Sequence, residues 1–134
     1  MSLYVDSSAL LKRYVDEPDS ESADALLRSD DSLLTARHTI VEVRRNLARL
    51  LAPADATAAR AAFAEDLEAL SIVELDHTTC ETAATIAETT GVRTLDALHL
   101  AAARRAGGAS IAVLTFDARQ AQAARVLGLT VVGA

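Results

Sequence analysis

The chain has a single cysteine, a single methionine, no tryptophan, and only two tyrosines and two phenylalanines in 134 residues. Cys80 alone cannot form an intramolecular disulfide, and no Cys/His pair has metal-finger spacing, so neither kind of staple holds the fold. No apolar run approaches the roughly 18 residues of a membrane span. The opening stretch through Val5 and Asp6 has no basic region of the kind that starts a secretory leader. These absences lead us to expect a cytoplasmic chain with no membrane partner. Lysine is also nearly missing: Lys12 stands alone beside twelve arginines. The net charge of -6 excludes a general polyanion binder, although segregated arginines can still grip phosphates.

What is abundant is small and aliphatic. Apolar residues make up 51% of the chain, and 29 of its residues are alanine. The length suits one domain with one core, spanning 1–134. Short β-like runs at 3–5, 32–35, 72–75, 111–114 and 129–132 alternate with helical patterns. The latter cover 9–15, 20–28, 39–51, 54–70, 78–89, 95–106 and 118–127. Pro53 suits a helix start, while Gly91, Gly107 and Gly128 suit helix ends. This alternation predicts an α/β fold: a three-layer α/β/α structure on a five-stranded, mostly parallel sheet. Sites in such sheets lie beyond the carboxyl ends of the strands, at the switch point.

Four acids occupy such places. Asp6 and Asp117 directly follow strands, while Glu42 and Asp96 fall in the first turns of helices. Capping accounts for each taken singly. Asp6 and Asp117 are good N-caps, and Thr39-x-x-Glu42 reads as a capping box, like Thr78-x-x-Glu81. Asp96 suits a helix dipole. Yet Glu42 and Asp96 sit in apolar surroundings, where an acid is costly unless paired or metal-bound. Four carboxylates in one cleft repel, and a hard divalent cation, Mg²⁺ or Mn²⁺, relieves that.

The ordered set resembles the PIN-domain ribonucleases, above all the VapC toxins of bacterial VapBC pairs. It is carried by Tyr4-Val5-Asp6-Ser7-Ser8-Ala9-Leu10, Glu42-Val43, Arg93-Thr94-Leu95-Asp96-Ala97-Leu98-His99-Leu100-Ala101 and Leu114-Thr115-Phe116-Asp117. The resemblance spans the whole chain and implies a PIN-like fold and Mg²⁺-dependent endonuclease cleavage of RNA. It implies that Asp6, Glu42, Asp96 and Asp117 are the catalytic and metal-holding acids, Asp6 and Asp96 being the most regular ligands. Thr115 resembles the hydroxyl residue that often precedes the fourth acid by two. A homodimer and a cognate antitoxin, whose tail enters the acidic cleft, are also implied. An arginine from that tail suits four carboxylates. Leu10, Leu11, Val15, Leu26, Leu27, Leu47 and Leu51 offer that antitoxin a docking face, unless the core takes them.

Arg93, beside the Asp96 helix start, and Arg13 are the expected RNA contacts, with Arg37, Arg44, Arg45 and Arg49 either at the rim or simply solvated. His99 lies one turn beyond Asp96, either bonding its carboxylate or packed in the core. Two other readings stay open. In an aspartyl-phosphate phosphatase or receiver-like domain, Asp6 is a nucleophile. That chemistry wants a nearby lysine, and the phosphatase pattern wants a second acid where Ser8 stands. A non-catalytic RNA-binding module is the other, though phosphate binding needs no cluster of negative charge.

Overall fold

The computed structural model describes residues 2–30 and 32–134. Five strands form one sheet in the order β3-β2-β1-β4-β5, with β1 at Ser2–Val5, β2 at Leu33–Ala36, β3 at Ser71–Val73, β4 at Ile111–Thr115 and β5 at Thr130–Gly133. Every pairing is parallel, so the sheet is more uniform than the mostly parallel one expected. All five carboxyl ends therefore lie on one edge. The chain winds outward from β1 to β3, then returns to place β4 on the other side of β1. The switch point is the gap between β1 and β4.

Strand alternation divides the core into two layers. On β1, Leu3 and Val5 face one side and Tyr4 the other; on β4, Ala112 and Leu114 oppose Ile111 and Val113. The first side is covered by α1 (Ser7–Leu11), α2 (Ser20–Arg28), α3 (Arg37–Leu50) and α4 (Pro53–Glu68). The second is covered by α5 (His77–Thr90), α6 (Thr94–Ala106) and α7 (Ala118–Val126). Alanine explains the close fit on that side: Ala97, Ala101, Ala102 and Ala103 of α6 are all fully or almost fully buried. Gly91 closes α5 at φ +75°, a left-handed conformation that suits a residue without Cβ. Gly133 ends β5 at φ +101°, where a Cβ would come within 2.6 Å of the Thr115 carbonyl.

Three expectations need correction. The helix expected over 9–15 is only Ser7–Leu11, because Asp6 caps it two residues earlier and Lys12 to Tyr14 turn through tighter i→i−3 bonds. Neither capping box forms. The α3 helix starts at Arg37, so Thr39 is already inside it, with its hydroxyl buried against Thr35 at 2.7 Å. The α5 cap is Asp76, which accepts the Thr79 amide. The expected docking face is also largely internal. Leu10, Leu11, Leu27 and Leu47 are buried, and Val15, Leu26 and Leu51 pack against them.

Candidate active site

The parallel topology carries three of the acids to the carboxyl edge of the sheet directly. Asp6 leaves β1, Asp117 leaves β4, and Glu42 lies in the second turn of α3, which leaves β2. Asp96 comes from the first turn of α6, and two contacts fix that helix start to the same edge. His38 Nε2 lies 3.2 Å from the Leu95 carbonyl, and the Arg93 guanidinium lies 3.5 Å from Asp117.

Asp6 caps α1 and faces the switch point at once. One carboxylate oxygen accepts the Ala9 amide at 3.0 Å and the Ser8 hydroxyl at 2.7 Å; the other accepts the Thr115 hydroxyl at 2.6 Å. Capping and site membership were competing readings of this residue, and its geometry serves the cap without leaving the cleft. Asp6 is buried, and burial pushes its carboxyl up despite the nearby His99 and these three donors. Thr115 also accepts the Asp117 amide at 3.1 Å, so a single hydroxyl ties the first acid to the fourth. Asp117 in turn caps α7 by accepting the Arg119 and Gln120 amides.

Asp96 and Asp117 share Arg93, at 3.2 and 3.5 Å. Arg93 is largely exposed, so it is a loosely held counterion. It offsets part of the repulsion that the acids would otherwise suffer. Arg37 pairs with Glu74 on the surface, and Arg13 lies 3.6 Å from Asp66, beside a cavity that none of the four acids lines. Asn46 bonds the Glu42 backbone carbonyl, as a helix-surface residue does.

His99 does not bond Asp96. It is buried in the core layer, with Nδ1 2.7 Å from the Tyr4 hydroxyl and Nε2 2.7 Å from Glu42 Oε1. This Tyr4–His99–Glu42 chain runs from the middle of β1 to the site edge. His38 stacks beside His99, ring centres 4.1 Å apart, with Nε2 3.6 Å from the same Glu42 oxygen. Burial alone would push the Glu42 carboxyl up. The bond and charge of His99, the charge of His38 and the Ser7 hydroxyl outweigh it and hold the carboxyl below its usual range. Sequence reading missed this cluster. Its only signal was a pair of histidines on segments expected to converge, 61 residues apart.

Burial, and then the neighbouring His99, push the His38 imidazole down to about 4, against the pull of Glu42 and the Leu95 carbonyl. A histidine whose folded value is depressed takes up its proton more readily when unfolded. Stability is thereby lost as pH falls from about 6.5 toward about 4. In chelator-treated protein, urea titrations across that window are expected to show a smaller stability loss for His38→Gln than for wild type. An identical loss in both would remove His38 as the cause.

Carboxylate oxygen is the donor type that a hard divalent cation takes. Asp6, Asp96 and Asp117 supply carboxylate oxygens, and Arg93 marks a position between two of them that already takes positive charge. His38, Glu42 and His99 bring three ligand atoms within 4.8 Å of one another, the one such His/Cys/Asp/Glu group among the described residues.

A PIN domain profile matches residues 3–126. The chain belongs to the PIN-domain family. Ribonuclease VapC46 of Mycobacterium tuberculosis is 32% identical over 131 residues, covering 98% of this chain and 96% of that protein. Ribonuclease VapC45 of the same organism is 34% identical, covering 96% and 93%. Among solved structures, FitAcB from Neisseria gonorrhoeae shares the PIN fold with a TM-score of 0.78 at 20% identity, over 98% of this chain and 96% of that one. VapC20 of M. tuberculosis, described as a sarcin-ricin loop cleaving toxin, aligns with a TM-score of 0.75 at 20% identity, over 90% and 94%. The PIN fold expected from the sequence is the one observed, and the VapC resemblance holds across the chain's length. No helix among the described residues is long and apolar enough to cross a membrane.

Proposed function

We propose that this PIN domain, spanning 1–134, is a metal-dependent endoribonuclease and the toxin of a type II toxin–antitoxin pair. The observation that carries this is the gathering of the acids at one sheet edge, in a chain whose relatives are VapC ribonucleases. Asp6, Glu42, Asp96 and Asp117 are its catalytic residues and the holders of Mg²⁺, or of Mn²⁺. The chemistry that such a cation supplies is Lewis-acid neutralisation of the phosphodiester charge.

The chain's own residues prepare that site. Thr115 fixes Asp6 and the turn into Asp117, while the buried His99 fixes the rotamer of Glu42. With a cation held by Asp96 and Asp117, the largely exposed Arg93 would be free of both and its guanidinium would suit bidentate contact with an RNA phosphate. Arg13 is a more distant RNA contact. The aspartyl-phosphate reading fares worse, because Lys12 is turned to Glu17 and Asp19, at 3.6 and 3.8 Å. Cytoplasm is the compartment proposed, in keeping with the exposed free thiol of Cys80. The proposed partners are a cognate antitoxin and a second copy of the chain. Several solved structures of this fold are toxin–antitoxin complexes, among them VapBC2 from Rickettsia felis with a promoter DNA fragment.

The test is to express wild type and Asp6→Ala in cells and map new RNA ends. Discrete new ends are expected for wild type only. The same ends in both strains would refute the assignment of Asp6.

A further inference from the structure

Two buried histidines meet one acid, and the ribonuclease reading uses only part of what they offer. His38 and Glu42 stand one turn apart on α3, and His99 reaches them from α6. The Nε2 atoms of both rings lie beside the same Glu42 oxygen, at 2.7 Å for His99 and 3.6 Å for His38. Both rings are buried, whereas the Glu42 side chain keeps 21% of its surface exposed. Glu42 also lines a cavity of about 400 Å³ with Arg93, Thr94, Leu95 and Asp96, which gives the cluster an opening on its Glu42 side. His38 Nδ1 is buried with no hydrogen-bond partner among the described residues. A buried histidine kept only for its hydrogen bonds uses both nitrogens, so that role does not account for His38.

Two imidazoles and one carboxylate are a ligand set for zinc and its neighbours in the transition series, whereas Mg²⁺ takes oxygen. The spacing agrees. Ligand atoms about 2.0–2.1 Å from a tetrahedral ion stand about 3.4 Å from one another. The observed 2.7 and 3.6 Å bracket that value, so loading parts His99 from Glu42 by about 0.7 Å and draws His38 slightly closer. An outer partner is in place as well. The buried Tyr4 hydroxyl lies 2.7 Å from His99 Nδ1, where it accepts a bond from Nδ1–H and leaves the Nε2 lone pair for a metal. The ion replaces the proton of the His99–Glu42 contact, and that proton leaves to solvent.

We infer that His38, Glu42 and His99 bind a Zn²⁺-like transition-metal ion, and that this ion takes Glu42 away from the hard-cation site. The binding stands on the cluster alone. Its consequence rests on the ribonuclease reading: an ion held on Glu42 inhibits cleavage by the Mg²⁺-loaded protein.

The experiment measures Zn²⁺ affinity by competition with a chelating zinc indicator. All samples carry Cys80→Ser, because the exposed thiol and the exposed His77 one turn before it are a rival pair of ligands. His38→Gln is expected to weaken Zn²⁺ binding by about a hundredfold or more, and Tyr4→Phe by about tenfold through the lost partner of His99. Asp96→Asn removes a neighbouring charge but no ligand of this ion, so it is expected to change the affinity by less than about fivefold. Circular dichroism checks folding, and Tyr4→Phe carries the test if His38→Gln does not fold. Zn²⁺ affinity within about threefold of the parent in the folded variants of His38 and Tyr4, or an equal loss in Asp96→Asn, overturns the site. In cleavage at saturating Mg²⁺, Zn²⁺ at about ten times its Kd in the same buffer is expected to slow the parent about tenfold and to spare His38→Gln. Full activity of the Zn²⁺-loaded parent overturns the capture of Glu42. Absence of any RNA cleavage with Mg²⁺ alone counts against the ribonuclease reading instead, and the affinities then decide the site by themselves.

Discussion

Alanine at Asp6 or at Asp96 is expected to lower RNA cleavage by at least about a thousandfold, equivalent to about 4 kcal/mol of lost transition-state stabilisation. Growth arrest on induced expression should vanish with it. Asp6 is buried with both oxygens committed to donors from α1 and β4, and Asp96 lies across the cleft beside Arg93. The double variant should be no worse than either single one, because the acids act on one phosphodiester as a unit. The two losses also differ in kind. Asp96→Asn removes a pair with a largely exposed arginine, so chelator-treated protein should lose less than about 1 kcal/mol of stability. Single-turnover cleavage and urea unfolding of the same samples separate the effects. Residual cleavage within tenfold of wild type, or unfolding of Asp96→Asn in chelator, would make these acids structural.

The second large effect is expected at His99. Its ring is buried on the α6 side of the sheet and bonds both Tyr4 of β1 and Glu42 of α3. His99→Ala empties that space and removes the 2.7 Å bond of the buried Tyr4 hydroxyl. A cost of about 3 kcal/mol or more follows. Tyr4→Phe removes only the hydroxyl, so about 1–2 kcal/mol is expected. If His99 also orients Glu42, Tyr4→Phe should keep most of the cleavage rate, whereas His99→Gln should lower it while retaining most of the stability. A His99→Ala protein as stable as wild type would contradict the buried chain.

Much of this was legible in the residues because local rules and global fold agree. The alternation of β-branched runs with alanine-rich helices dictated a parallel sheet, and a parallel sheet puts everything that follows its strands on one edge. Asp6 and Asp117 inherit their place from that rule alone. The errors occur where a side chain chose a tertiary partner over a local one. Thr39 reads as a cap, but its hydroxyl is taken by Thr35 across the β2–α3 turn. His99 reads as a neighbour of Asp96 on one helix, but Glu42, from another helix, reaches it first. Leu10, Leu27 and Leu47 resemble a docking stripe because periodicity cannot count layers; α4 packs over them and they become core. The pairing of Arg93 with two acids depends on where α6 begins relative to β4, which no spacing along the chain encodes.

Cleavage of RNA by the purified protein, with Mg²⁺ removed by chelation and then restored, tests the central claim most directly. Wild type should cut only when the cation is present, regain full rate on its return, and show nothing with Asp6→Ala under either condition. Cleavage that persists in chelator, or that Asp6→Ala retains, would contradict a metal-dependent ribonuclease built on these four carboxylates.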